Sequence, residues 1–260
     1  MKNLNSRLVL MFAMALTTGL TAQAQSSTDW PKNEIEVRAT VSVPSGEANF
    51  SGTTNAGSTL SFSRDFDFKN EPGFDIRYTY RTEDGKHKLL AEYSHTDWER
   101  STTLTRSFTF RGQTYVANAN LNGDLKLRDF RAMYAYRWGN EKVRFGPMAD
   151  MGVIKTSLEI TGTTNNGTQT AEGSITKFAA TLGYDLEYNA APKVNVFHNL
   201  GAIAFHHDRL FHTEGGVKVY LSRQVGFVGG YKFERYRWVN DDNFIRISAH
   251  GPFFGAVFHF

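Results

Sequence analysis

The stretch HHDRLFH gathers His206, His207, Asp208 and His212, residue types that hold zinc or copper. Farther on, Asp241 and Asp242 stand side by side in VNDDN. A carboxylate pair near an imidazole can position a water and accept its proton. The spacing weakens both ideas. Adjacent His206 and His207 point to opposite faces of an extended chain and do not converge on one ion, and VNDDN is also ordinary turn composition. The sequence has 0 Cys, which excludes thiolate nucleophiles, cysteine-ligated metals and a disulfide framework. It contains no GxSxG, HExxH or phosphate-binding glycine loop. The expectation is therefore solvated loop histidines, with no catalytic residue, no metal and no cofactor. An enzyme working at the rim through His206 or His207, Asp208, Asp241 and Asp242 is the alternative.

The elements that would carry these residues are strands. Lys2 and Arg7, an apolar run from Leu8 to about Leu20, and Ala22-Gln23-Ala24 read as a secretory signal peptide over residues 1–24. Residues 25–260 then form one domain. Without the signal the formal charge falls from +3 to +1, which gives no reason to expect a nucleic-acid partner. Aromatic content is 14%, with 21 Phe and 11 Tyr, against only 6 Pro, a composition that favours β-structure.

Period-two alternation recurs along the chain. Ile35, Val37, Ala39, Val41 and Val43 share one face, and Glu36, Arg38, Thr40 and Ser42 the other. Phe74, Ile76, Tyr78 and Tyr80 oppose Asp75, Arg77, Thr79 and Arg81. The pattern predicts about ten strands, with eight as the alternative, at 34–44, 59–82, 86–110, 114–138, 142–161, 173–189, 193–206, 211–222, 226–238 and 245–260. Tight connections at 82–86, 139–142, 189–193 and 222–224 take turns with long polar ones at 44–58, 161–173 and 239–243, and a further hairpin centres on 111–114. This is the pattern of an all-β, antiparallel up-and-down transmembrane barrel, with short periplasmic turns and long extracellular loops.

In such a barrel the apolar faces turn outward and the polar faces line the lumen. The lumen set is Glu36, Arg38, Asp75, Arg77, Arg131, Lys177, Asp185, Glu187, Lys218, Lys232 and Glu234, with Arg81, Lys88, Glu92, Arg137, Arg144, Asp150 and Glu214 as further candidates. The two signs are mixed, so a paired network filling the lumen is expected rather than a wide channel. Trp98, Tyr136, Trp138, Tyr188, Tyr236 and Trp238 lie near strand ends and are read as aromatic girdles. Arg100, Arg106, Arg111 and Arg128 are candidates for lipopolysaccharide phosphates.

The signal peptide, the strand series over 33–260 and the terminal FGAVFHF together resemble small Gram-negative outer-membrane β-barrel proteins of the OmpA/OmpX/OmpW-like kind. The resemblance implies that Phe254, Ala256, Phe258 and Phe260 form a C-terminal signal read by the barrel-assembly machinery, with His259 and Pro252 as departures from a plain last strand. It also implies an outer-membrane location, contact with outer-membrane lipid and lipopolysaccharide, a monomer, and a structural or surface-interaction role or a narrow porin-like pore. Omptin-type proteases, also ten-stranded, use acidic residues and an Asp–His pair near the rim, but the segments here do not match their motif in detail. A lipid-modifying enzyme would need a Ser–His motif, and no convincing one is present. A soluble secreted barrel holding an apolar ligand would reverse the faces.

Overall fold

The computed structural model describes residues 32–260 except 54, 104, 206, 207, 241 and 242. The signal-peptide segment 1–24 therefore lies outside the described residues. Ten long strands are present: β1 (Asn33–Asn49), β2 (Glu71–Arg81), β3 (His87–Thr103), β4 (Asn120–Tyr136), β5 (Val143–Thr164), β6 (Gly167–Ala191), β7 (Val194–Phe205), β8 (Asp208–Tyr220), β9 (Val225–Asn240) and β10 (Asn243–His259). Each pairs antiparallel with the next, and β10 returns to β1, from Glu34↔His259 to Asn49↔Phe244. The sheet is a closed ring of ten rather than eight, so no barrel strand has a free edge.

The ends of the barrel differ. At one end the connections are tight. In the β2–β3 turn, Asp84 Oδ1 accepts from Thr82 Oγ1 and the Lys86 N–H, and Gly85 takes φ +62° where a side chain would strain the backbone. At the other end, two connections carry structure of their own. The segment 50–70 includes a short strand Leu60–Ser61 on β1 and a π-type turn Phe62–Phe66. The segment 104–119 includes the hairpin Phe108–Phe110/Gln113–Tyr115.

Strand boundaries differ from the sequence reading in particular places. The predicted strand 59–82 breaks at the π-type turn, because Phe62 and Phe66 turn inward and are wholly buried. The predicted pair 86–110/114–138 ends at Thr103 and restarts at Asn120, the intervening hairpin leaving the barrel wall. The polar stretch 161–173 is not a loop: β5 and β6 run on through it, Thr163 pairing with Thr168 and Thr161 with Thr170. Threonine is a good strand former, and here its polarity marks exposure rather than a turn.

The faces are inverted relative to a water-soluble barrel. Glu34, Glu36 and Arg38 are at most 1% exposed inside, whereas outward Tyr78, Leu182 and Phe227 are 41%, 72% and 48% exposed. An apolar ligand cavity lined by these residues is ruled out by their direction, so the soluble ligand-binder expectation falls. Outward aromatics join at the tight-turn end: Tyr136, Trp138, Phe145 and Tyr184 stand with ring centroids 5.7–6.3 Å apart in sequence around the wall, and Tyr188 faces outward beside them. Trp98, Tyr236 and Trp238 are not part of a girdle. They are 0–2% exposed inside the barrel, because Trp98 shares its strand face with Glu92, and Tyr236 and Trp238 share theirs with Glu234.

Candidate functional site in the lumen

The lumen is filled in two layers, and the alternation of the strands decides which residues enter each. The layer toward the tight turns is ionic. Lys88 Nζ donates to Asp185 Oδ1 (2.7 Å) and Glu187 Oε1 (2.6 Å), and Glu187 also takes Arg81 at 3.0 Å and Arg137 at 2.8 Å. Beside them Lys218 Nζ holds Glu34 (2.5 Å) and Glu36 (2.7 Å), and His259 Nε2 lies 3.0 Å from the second oxygen of Glu34. One storey up, Arg38 and Arg77 share two carboxylates. Glu214 Oε1 accepts from both at 2.9 Å, while Glu92 bonds Arg77 closely and takes Lys232 at 2.9 Å; Asp75 Oδ2 lies 3.4 Å from Arg38. Higher still, Arg131 bonds Asp129 and reaches Glu234 at 3.3 Å, and Asp150 accepts from Thr181 (2.5 Å) with His212 Nε2 at 2.8 Å.

The layer toward the long connections is apolar. The two structured segments fold into the barrel mouth instead of standing above it. Phe50, Phe62, Phe66 and Phe68 from one, and Phe108, Phe110 and Tyr115 from the other, pack with Trp98, Leu121, Leu125, Leu158, Ile160, Trp238, Ile245 and Ile247 of the wall, all at most 4% exposed. Gly123 and Gly173 make room: a Cβ on either would lie 2.4–2.5 Å from the ring of Phe66 or Phe50. Polar groups inside this layer are mostly partnered, Trp98 Nε1 donating to the Ser42 carbonyl at 2.9 Å and Tyr115 Oη to that of Ile160 at 3.1 Å. The two segments are tied to each other by Arg106, whose Nη2 lies 3.1 Å from Asp65 Oδ2, and by the Ser58 N–H on the Thr109 carbonyl at 2.7 Å. Burial alone would raise the Asp65 carboxyl, but the Ser61 N–H, Arg106 and Arg64 outweigh it and hold the group below its ordinary value.

Two spaces among the described lumen residues are water-sized. A cavity of about 20 Å³ lies among Arg77, Glu92, Arg131, Asp150 and His212, and one of about 30 Å³ lies between Asp75, Ser94, Trp98 and Lys232. Such volumes hold single waters.

All eleven residues of the lumen set read from the sequence face inward, but Lys177 stands apart from the main network, at the upper rim, bonded to Asp208 Oδ2 (3.0 Å) and the Val239 carbonyl (3.1 Å). Glu34 and Asp129 were missed, although each shares strand parity with a residue in the set, Glu36 and Arg131. The histidine cluster falls only partly among the described residues. His206 and His207 lie outside the described residues, Asp208 is occupied by Lys177 and the Val239 N–H, and His212 faces the lumen. Asp241 and Asp242 also lie outside. Among the described residues no group of three or more His, Asp or Glu could hold a metal. Of the four arginines considered for lipid phosphates, Arg106 is taken by Asp65 and Arg100 lies 3.6 Å from Asp67, while Arg111 and Arg128 are exposed.

In the last strand Phe254, Ala256, Phe258 and Phe260 share the outward parity, and Phe253 and Val257 fill the lumen side. His259 faces in, toward Glu34. Pro252 faces outward, and the β1 ladder skips from Thr40↔Phe253 to Val43↔His250 around it, as the missing N–H requires.

This geometry has counterparts among solved structures. The outer membrane protease OmpT from Escherichia coli superposes with a TM-score of 0.61 at 8% identity, covering 90% of this chain and 100% of that one. The fold is that of an outer-membrane β-barrel. The translocator domain of the autotransporter NalP from Neisseria meningitidis (TM-score 0.48, 10% identity, 98% of this chain and 96% of that one) and Ail, the attachment invasion locus protein of Yersinia pestis (0.39, 13%, 87% and 99%), are also similar. No protein-family model and no curated protein matches the sequence.

Proposed function

We propose that this protein is an integral outer-membrane barrel whose lumen is sealed, and which acts through its surface rather than as a conduit. The observation that carries the reading is the doubly filled lumen: an ionic layer in which each arginine has a carboxylate, capped by an apolar plug made of the chain's own segments. Together these leave room for waters but not for a solute. The porin-like alternative needs a continuous aqueous path, and two cavities of 20–30 Å³ do not supply one. The outward apolar wall supports the membrane location, and the contrast between tight turns at one end and structured segments at the other supports an orientation with the tight turns on the periplasmic side.

Two measurements test this. Fractionation should recover the mature protein with the outer membrane, and planar bilayers holding the refolded protein should show no discrete conductance steps. Regular steps from the wild-type protein would overturn the sealed-barrel reading.

A further inference from the structure

Above the outward apolar wall, β8, β9 and β10 carry Arg209, Arg235, Arg237 and Arg246 on their outer face. The strand register places Arg209 directly opposite Arg237, and Arg237 directly opposite Arg246. Three guanidinium groups thus stand in one row across three adjacent strands, and Arg235 stands one outward step below, opposite Phe211 and Ser248. Phe211 of the apolar wall stands level with Arg235, and Phe233 and Tyr231 follow beneath it.

Like charges placed directly across strands repel and destabilise a sheet. Inside the barrel the arginines are paired: Arg38, Arg77, Arg81, Arg131 and Arg137 each meet a carboxylate. In the outer row only Arg246 does, at 2.9 Å from Glu47. Arg209, Arg235 and Arg237 make no ion pair among the described residues. On the opposite wall, Arg128 and Lys155 are also directly paired, but the outward positions two rows above them hold Glu99, Asp124, Glu159 and Glu172 in one cross-strand row. No described acidic residue overlies the arginine row.

We propose that Arg209, Arg237 and Arg246, with Arg235 beneath, bind the phosphate groups of an anionic lipid in the outer leaflet. The inference rests on the membrane reading above. The guanidinium fork fits phosphate oxygens two at a time, and a site at the edge of the hydrocarbon layer screens charge less than open water does. The row spans two inter-strand steps, roughly 10 Å, so neighbouring arginines can share one headgroup. The lipid supplies the counter-charge that Arg209, Arg235 and Arg237 do not find among the described residues.

Native mass spectrometry of the refolded protein with diphosphorylated lipid A, and with the same lipid stripped of phosphate, tests the site. The expected result is that R209Q/R237Q binds the diphosphorylated lipid at least about tenfold more weakly than wild type, the loss of charge-assisted bonds. R128Q/K155Q should bind as wild type does, and the stripped lipid should not distinguish the proteins. Unchanged binding by R209Q/R237Q overturns the proposal. So does displacement of the lipid by millimolar inorganic phosphate or by polyglutamate, which would make the row a site for soluble anions. In phosphate-free detergent, R209Q/R237Q should melt no lower than wild type, because the substitution relieves repulsion; a lower melting point would assign the row a structural role and overturn the site. Flotation with vesicles separates the two readings. A protein that inserts but whose variant binds equally loses only this site, whereas one that stays with the aqueous phase loses both.

Discussion

Glu214→Gln distinguishes a sealed ionic lumen from a wet one by the size of its effect. In the folded protein the Glu214 carboxylate accepts from Arg38 once and from Arg77 twice, all at 2.9 Å. The glutamine keeps the shape but removes the charge. It leaves two guanidinium groups sharing Glu92, with Asp75 3.4 Å and Glu36 3.8 Å from Arg38 as further neighbours. Two charge pairs at contact are worth roughly 4 kcal/mol each at an effective dielectric constant near 20. The carboxylate's own desolvation, several kcal/mol, is released by the substitution and offsets much of that sum. A net loss of about 3–5 kcal/mol results, in line with breaking a buried pair from one side, and it is a large part of a typical domain's stability of about 5–15 kcal/mol. If water filled the lumen, the same substitution would cost only about 0–1 kcal/mol. Urea titration of the barrel in lipid vesicles, followed by gel mobility of the folded form, measures the difference. Arg77→Gln combined with Glu214→Gln should recover part of the loss, because fewer unmatched cations remain. A loss below about 1 kcal/mol for Glu214→Gln would refute the argument and return the lumen to solvent.

Trp98→Ala should cost about 3–5 kcal/mol, as removal of a large buried side chain does, and brominated lipid should quench Trp138 but neither Trp98 nor Trp238; equal quenching of all three would place the plug wrongly. The Asp65 tie has a pH signature. Its carboxyl is held below the ordinary value in the folded protein, so its contribution is present above the unfolded value of about 3.9 and is lost as pH falls through the folded one. Pepsin cleavage within 50–70 should therefore rise in wild type below about pH 4, while Asp65→Asn should be cut at the raised rate at every pH where the protease works. If Asp65→Asn matched wild type throughout, the tie would be dispensable. Shortening the segment 50–70 so that Phe62, Phe66 and Phe68 are removed should expose the ionic layer from outside and speed exchange of the buried amides near Arg131; protection unchanged from wild type would show that the plug does not cover it.

The ring and its faces were legible because both follow from one period. Once Glu36 and Arg38 are inside, every second residue of every strand is assigned, and the same parity carries Glu34, Asp129 and Trp98 inward. Trp98 was misread where position near a strand end was weighed above parity with Glu92. The plug was not legible in the same way. Phe50 sits among Gly, Ser, Thr and Asn, and Phe62, Phe66 and Phe68 among Ser, Arg, Asp and Lys, and what orders them is contact with β4, β6 and the second segment, far away in sequence. A trace of it lay in the strands: Gly123 and Gly173 occupy inward positions where a side chain would otherwise fill the lumen, and such gaps in a wall imply something that comes to fill them. The arginine row was invisible because Arg209, Arg237 and Arg246 become neighbours only through the register of three strands.

The seam between β10 and β1 sets the order of events in the life of the chain. Glu34 and His259 meet across it although 225 residues separate them. Until the last strand has been synthesised and delivered, β1 has an unpaired edge and the wall has a gap. In that interval the aromatic surface meant for lipid is open to water and to other chains, so the unfinished barrel is at its greatest risk of aggregation. A protein closed in this way cannot fold usefully as it emerges from the ribosome. It must be carried unfolded to the membrane and closed there, in the one place where its outside has a solvent.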